Sequence, residues 1–109
     1  MAYTQDKAVE LAKSFLSQAS KRHSIRSAYL FGSHVRGTQK DYSDIDIALV
    51  MPRISEPKRY YEESLYIFHE AQEYNSLLEV VCFREDEFDE GQTAIVDQIK
   101  KEGVKIELS

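Results

Sequence analysis

Apolar positions along the chain follow two spacings, one helical and one alternating, and the switches between them divide it into elements. In residues 4–21, Ala8, Leu11, Ala12, Phe15, Leu16 and Ala19 fall three or four apart, which predicts an amphipathic helix capped by Thr4 or Asp6. Residues 25–31, IRSAYLF, read as a strand that ends at Gly32-Ser33; a short helix is expected from Ser33 to a stop at Gly37. Residues 44–50, DIDIALV, alternate with period two: Ile45, Ile47 and Leu49 share one face, Asp44, Asp46 and Ala48 the other. Met51-Pro52 ends that strand.

Beyond Pro57, Tyr61, Leu65, Phe68 and Ala71 recur at helical spacing and predict a second long helix with those residues inward. Residues 76–83, SLLEVVCF, have the composition of a buried strand apart from Glu79. REDEFDEG reads as a polar loop or a helix start. QTAIVDQIKKEG predicts a third helix with Ile95, Val96 and Ile99 inward and Gly103 as its C-cap. VKIELS adds a short edge strand. Strands alternating with helices in this order predict an α+β (or α/β) domain, a small mixed sheet flanked by helices.

Composition narrows the class. A chain of 109 residues has room for a single domain, residues 1–109, and one core. There is no run of about eighteen apolar residues and the N-terminus lacks the apolar stretch of a signal peptide, so no membrane partner is expected. The single cysteine, Cys82, cannot form an internal disulfide; a reducing, cytoplasmic setting is the expectation. The net charge of −5 argues against strong direct binding of nucleic acid. It leaves a nucleotide open as a ligand, because metal ions can supply the positive charge.

Three carboxylates in apolar strands carry the candidate chemistry. Asp44 and Asp46 are two apart, so on a strand both leave the same face, where they repel unless a cation lies between them. Mg²⁺ suits such a pair, taking one or two carboxylates together with substrate phosphates. A solvated strand end with acidic decoration is the competing reading. Glu79 interrupts an apolar strand where an unpaired carboxylate is costly. One helix between residues 47 and 78 suffices for a crossover that lays this strand beside the first, making Glu79 a third acid. The alternatives for Glu79 are the wet face of an edge strand or an ion pair with an arginine. A triad of this kind would suit two-metal phosphoryl or nucleotidyl transfer.

Such a site must also hold a triphosphate. In FGSHVRG, Gly32 permits close backbone approach and Ser33 offers a hydroxyl and an N–H at a helix start. Arg36, one turn further on, can reach a phosphate. A Gly-Ser pair on its own is more often a plain turn. Other templates fail: there is no G-x-x-x-x-G-K-[ST], no G-x-G-x-x-G, no EF-hand spacing and no clustered Cys/His set. His34 reads as a solvent-exposed loop histidine, with a ligand contact as the alternative. Tyr60, Tyr61 and Tyr66 read as core and rim.

Gly32-Ser33, ten residues, then Asp44-x-Asp46 is similar to the G-S-x10-D-x-D signature of the nucleotidyltransferase superfamily related to DNA polymerase beta. With Gly at about 7% and Ser and Asp at about 6% each, four fixed positions match by chance in roughly one such chain in a thousand. In size, and in SAYLFGSHVRG, SDIDIALV and IVDQIKKEGVKIEL, the chain resembles the minimal nucleotidyltransferases (MNT), the MntA-like antitoxin group, from residue 27 to 108. The resemblance implies the nucleotidyltransferase fold and a Mg²⁺-dependent transfer of a nucleoside monophosphate from ATP to a hydroxyl, with two ions. It also implies a HEPN-domain protein as partner, a toxin adenylylated on tyrosine. Carried onto this sequence, it assigns triphosphate binding to Gly32 and Ser33, and the metals to Asp44, Asp46 and Glu79. The family's third acid is usually Asp; Glu79 is one methylene longer, which puts activity in question. A weak or inactive domain that neutralises its partner by docking an acidic surface is the alternative.

Overall fold

The computed structural model of the chain describes residues 4–53, 57–91 and 93–108. Helix α1, Gln5–Ala19, starts at Thr4, whose hydroxyl accepts from the Lys7 N–H at 3.2 Å. Strand β1 is Ser27–Phe31, helix α2 Ser33–Arg36, strand β2 Ile45–Met51, helix α3 Pro57–Tyr74 and strand β3 Leu78–Arg84. Helices α4, Glu85–Glu90, and α5, Ala94–Glu102, follow, and strand β4, Val104–Ile106, closes the described chain. The strands form one mixed sheet in the order β3-β2-β1-β4. β1 runs antiparallel to both its neighbours, while β2 and β3 are parallel. The parallel pair requires a crossover, and α3 supplies it.

Period-two alternation sends the strand residues to two separate cores. Ala28, Leu30, Ile45, Ile47, Leu49, Leu78 and Val80 pack with Ala8, Ala12, Phe15 and Leu16 of α1 and with Ile67 and Ala71 of α3. On the opposite face Ala48 and Val50 pack with Phe88 of α4 and with Val96 and Ile99 of α5, flanked by Tyr29, Phe31 and Phe83. Asp46 and Glu79 therefore belong to the α4/α5 side of the sheet. The expected strand alternation holds, as does the short helix from Ser33 to Gly37.

Three expected details differ. The inward stripe of α3 is rotated: Ile67 and Ala71 are buried and Tyr60 is half-buried, but Tyr61 and Leu65 face outward, 64% and 41% exposed. Tyr60 wins the inward position because its hydroxyl donates to the Cys82 carbonyl at 2.8 Å, so ring and oxygen are both satisfied. In α5, Val96 and Ile99 are buried as expected, but Ile95 is 39% exposed. REDEFDEG forms a complete short helix, held inward by Phe88, whose ring stacks on Tyr29 with centroids 5.3 Å apart. The start of the predicted third helix at Gln92 lies outside the described residues. Among the described residues, no helix is long and apolar enough to cross a membrane.

Candidate functional site

The two halves of the sequence signature meet through strand register. β2 begins where the Ile45 N–H donates to the Leu77 carbonyl at 2.7 Å, and the parallel ladder then sets Asp46 opposite Glu79. On its other side β2 pairs with β1 so that Phe31 lies opposite Asp46. The residue after Phe31 is Gly32, so the turn emerges against the acid. A Cβ placed on Gly32 would lie 2.2 Å from Asp46 Oδ2, so the carboxylate would have to move. Gly32 also has φ 83° and ψ −151°, a region essentially confined to glycine. The glycine is therefore required twice, for its backbone and for the carboxylate beside it.

Asp44, exposed, and Asp46 and Glu79, both partly buried, form one electrostatic unit. Burial pushes the Asp46 carboxyl above its ordinary value of 3.8, and the Asp44 charge adds to this, while the Arg36 guanidinium pulls the other way. Glu79 is pushed above its ordinary 4.5, first by a side-chain hydrogen bond with Asp44, then by burial and by the charges of Asp46 and Asp44. These residues thus concentrate negative charge that only a proton or a cation relieves.

Arg36, the last residue of α2, acts on Asp46 through its charge. It is also paired with Glu102 in the last turn of α5, Nη1 to Oε2 at 3.6 Å, and both side chains are half exposed. Ser33 opens α2, and its N–H and that of His34 have no partner within a helix of one turn. Gly37 ends this helix in the left-handed conformation. Just ahead of Asp44, the Lys40 N–H donates to Ser43 Oγ at 2.7 Å and the Ser43 N–H to the Lys40 carbonyl at 3.1 Å, closing a turn.

His34 departs from the exposed position its loop context suggests. It is a buried residue of α2, 2% exposed. Neither ring nitrogen has a hydrogen-bond partner among the described residues. Burial pushes its pKa below the ordinary 6.5, with the nearby Asp44 backbone opposing that shift. Sequence context gives little warning of this, because flanking Val35 is the only apolar neighbour and a single turn has no periodicity to read.

The donor set of Asp44, Asp46 and Glu79 is all oxygen and anionic, which fits a hard divalent cation such as Mg²⁺. Among the described residues, no three Asp, Glu, His or Cys side chains converge closely enough to hold an ion as they stand. Cys82 offers no competing chemistry, since burial pushes its thiol up to about 11 and leaves it protonated at neutral pH.

Comparison with known proteins agrees with this fold. The family model for polymerase beta nucleotidyltransferases matches residues 13–107. A solved structure assigned to the nucleotidyltransferases, from Sulfolobus solfataricus, superposes with a TM-score of 0.63 at 25% identity, covering 93% of this chain and 80% of that one. A toxin–antitoxin structure with AMP-PNP gives 0.59 at 22% identity over 93% of this chain and 73% of that one. A variant of the toxin–antitoxin pair MntA–HpeT, bearing two aspartate-to-glutamate changes, gives 0.55 at 16% identity, covering 98% and 75%. At those identities the last two establish likeness of fold. No curated protein matches the chain.

Proposed function

Because this chain belongs to the polymerase beta nucleotidyltransferase family, we propose that it transfers AMP from ATP to a hydroxyl group. We place that hydroxyl on a tyrosine of a HEPN-domain toxin, which the transfer silences. The observation that carries the reading is the close approach of Gly32 to Asp46, which sets the Gly-Ser turn against the carboxylates. The fold likeness to toxin–antitoxin structures, one of them with AMP-PNP, supports the choice of partner and nucleotide.

In this reading Asp44, Asp46 and Glu79 hold two Mg²⁺ ions, while Gly32, Ser33 and Arg36 hold the triphosphate. Bound Mg²⁺ would neutralise the phosphates and lower the pKa of the acceptor hydroxyl. The acceptor oxygen attacks the α-phosphorus, the bond from that phosphorus to the bridging oxygen breaks, and pyrophosphate leaves. Glu79 accepts the hydroxyl proton as general base. Gly32 and Ser33 contribute chiefly position, fixing the α-phosphorus relative to the acids, and positioning alone lowers barriers substantially.

Calorimetric titration tests the assignment of the third acid. The wild-type protein is expected to bind Mg²⁺ and, in its presence, ATP. Glu79→Gln keeps the size of the side chain but removes its charge, and Mg²⁺ affinity should fall about tenfold or more. Unchanged affinity would remove Glu79 from the site, and a wild type that binds no ATP with Mg²⁺ present would contradict the nucleotide reading.

A further inference from the structure

Helix α3 buries one side against the sheet and turns the other to solvent. Ile67 and Ala71 enter the core with the half-buried Tyr60. On the flank toward α1, Glu63 and Glu70 are tied to His23 at 3.0 and 3.2 Å. The opposite side carries Lys58, Glu62, Leu65, Tyr66, His69 and Glu73, all exposed, with Leu65 at 41% and Tyr66 at 66%. Apart from the adjacent Leu65 and Tyr66, these positions step by three or four, so they form one continuous row about 22 Å long on the helix surface. Among the described residues, Lys58, Glu62 and Glu73 have no ion-pair partner.

The order of residues in this row complements its own reverse. Laid antiparallel on an identical row, with the two-fold axis between residues 65 and 66, Lys58 faces Glu73 of the second copy. In the same register Glu62 faces His69, whose ring N–H can donate to it, and Leu65 faces Tyr66. The two-fold axis makes each pairing occur twice. A parallel alignment in register would set each charge against its like, and antiparallel helices also bring opposite dipole ends together. We propose that the chain self-associates through this row, α3 of one copy packing antiparallel on α3 of a second. The charged pairs fix direction and register, while Leu65, Tyr66 and the neighbouring Tyr61, 64% exposed, supply the apolar centre. Asp46 and Glu79 lie on the other side of the sheet, with α4 and α5, so both copies keep the candidate site clear of the interface. One helix pair is a small interface, so association at about micromolar concentration is expected.

Sedimentation equilibrium on the full chain, from about 5 to 500 μM, tests this and should show a monomer–dimer equilibrium. Lys58→Glu or Glu73→Lys alone sets like charges together twice, and each should weaken dimerisation about tenfold. The double variant K58E/E73K exchanges the two charges and should restore most of the wild-type affinity. Leu65→Glu should leave the chain monomeric. All of these positions are exposed, so the core does not depend on them. A wild type that stays monomeric throughout the range would overturn the proposal. So would a dimer indifferent to Leu65→Glu, or a double variant no tighter than its two single variants.

Discussion

Asp46→Asn is expected to reduce nucleotidyl transfer by about 10³-fold or more, since a lost metal ligand forfeits several kcal/mol of charge stabilisation. The same substitution should raise the melting temperature of the metal-free protein at neutral pH. The sign follows from the direction of the shifts. Asp46 and Glu79 both bind protons more tightly folded than unfolded, so their contribution to stability is present below their ordinary values of 3.8 and 4.5. It is lost as pH rises through the raised values, leaving a crowded, charged cluster at pH 7. Removing one charge relieves that cost, and the gain should shrink as pH falls through the raised values toward the ordinary ones. Scanning calorimetry at several pH values, with and without Mg²⁺, checks this. A metal-free Asp46→Asn protein less stable than wild type at pH 7 would show that Asp46 serves the fold rather than the site.

Gly32→Ala is the second large effect. Any side chain at φ 83° costs about 1–3 kcal/mol in backbone strain. Here the new methyl must also displace Asp46 Oδ2, which would lie 2.2 Å away. For a domain of this size each kcal/mol lowers the melting temperature by about 4–8 °C, and transfer should be almost lost because Asp46 moves. Gly37→Ala is the matched control. Gly37 has φ 76°, but nothing lies within 4 Å of its added Cβ. It should show the strain and keep most of the transfer activity. Equal losses of activity in the two variants would mean that the contact between Gly32 and Asp46 is incidental.

Much of this arrangement was legible in the sequence, and what was not has physical causes. The alternation of DIDIALV was readable because period two leaves only two phases, and a one-residue slip would bury both aspartates' face in the wrong core. The position of Glu79 beside Asp46 was legible as a possibility of the crossover, but the register that pairs them is a property of the folded sheet. The phase of α3 misleads because Tyr60, Tyr61, Leu65, Ile67 and Phe68 offer more than one apolar stripe. Only the partners in the fold, such as the Cys82 carbonyl for Tyr60, select among them. Helix α4 carries one apolar side chain in six residues and so has no period to detect; its stability comes from Phe88 on Tyr29. The Arg36–Glu102 pair joins α2 to the far end of α5, a contact no local pattern encodes.

The central claim is that the turn at Gly32 and the acids at Asp44, Asp46 and Glu79 transfer a nucleotide rather than only bind a partner. The most direct measurement incubates the protein and the HEPN-domain protein proposed as its partner with Mg²⁺ and ATP labelled either on the α- or on the γ-phosphate. The account predicts that α-label becomes covalently attached to the partner while γ-label leaves as pyrophosphate, and that Asp44→Ala and Asp46→Ala each abolish the attachment. Inhibition of the partner that persists in both variants with no label attached would contradict it and leave docking as the function of the domain.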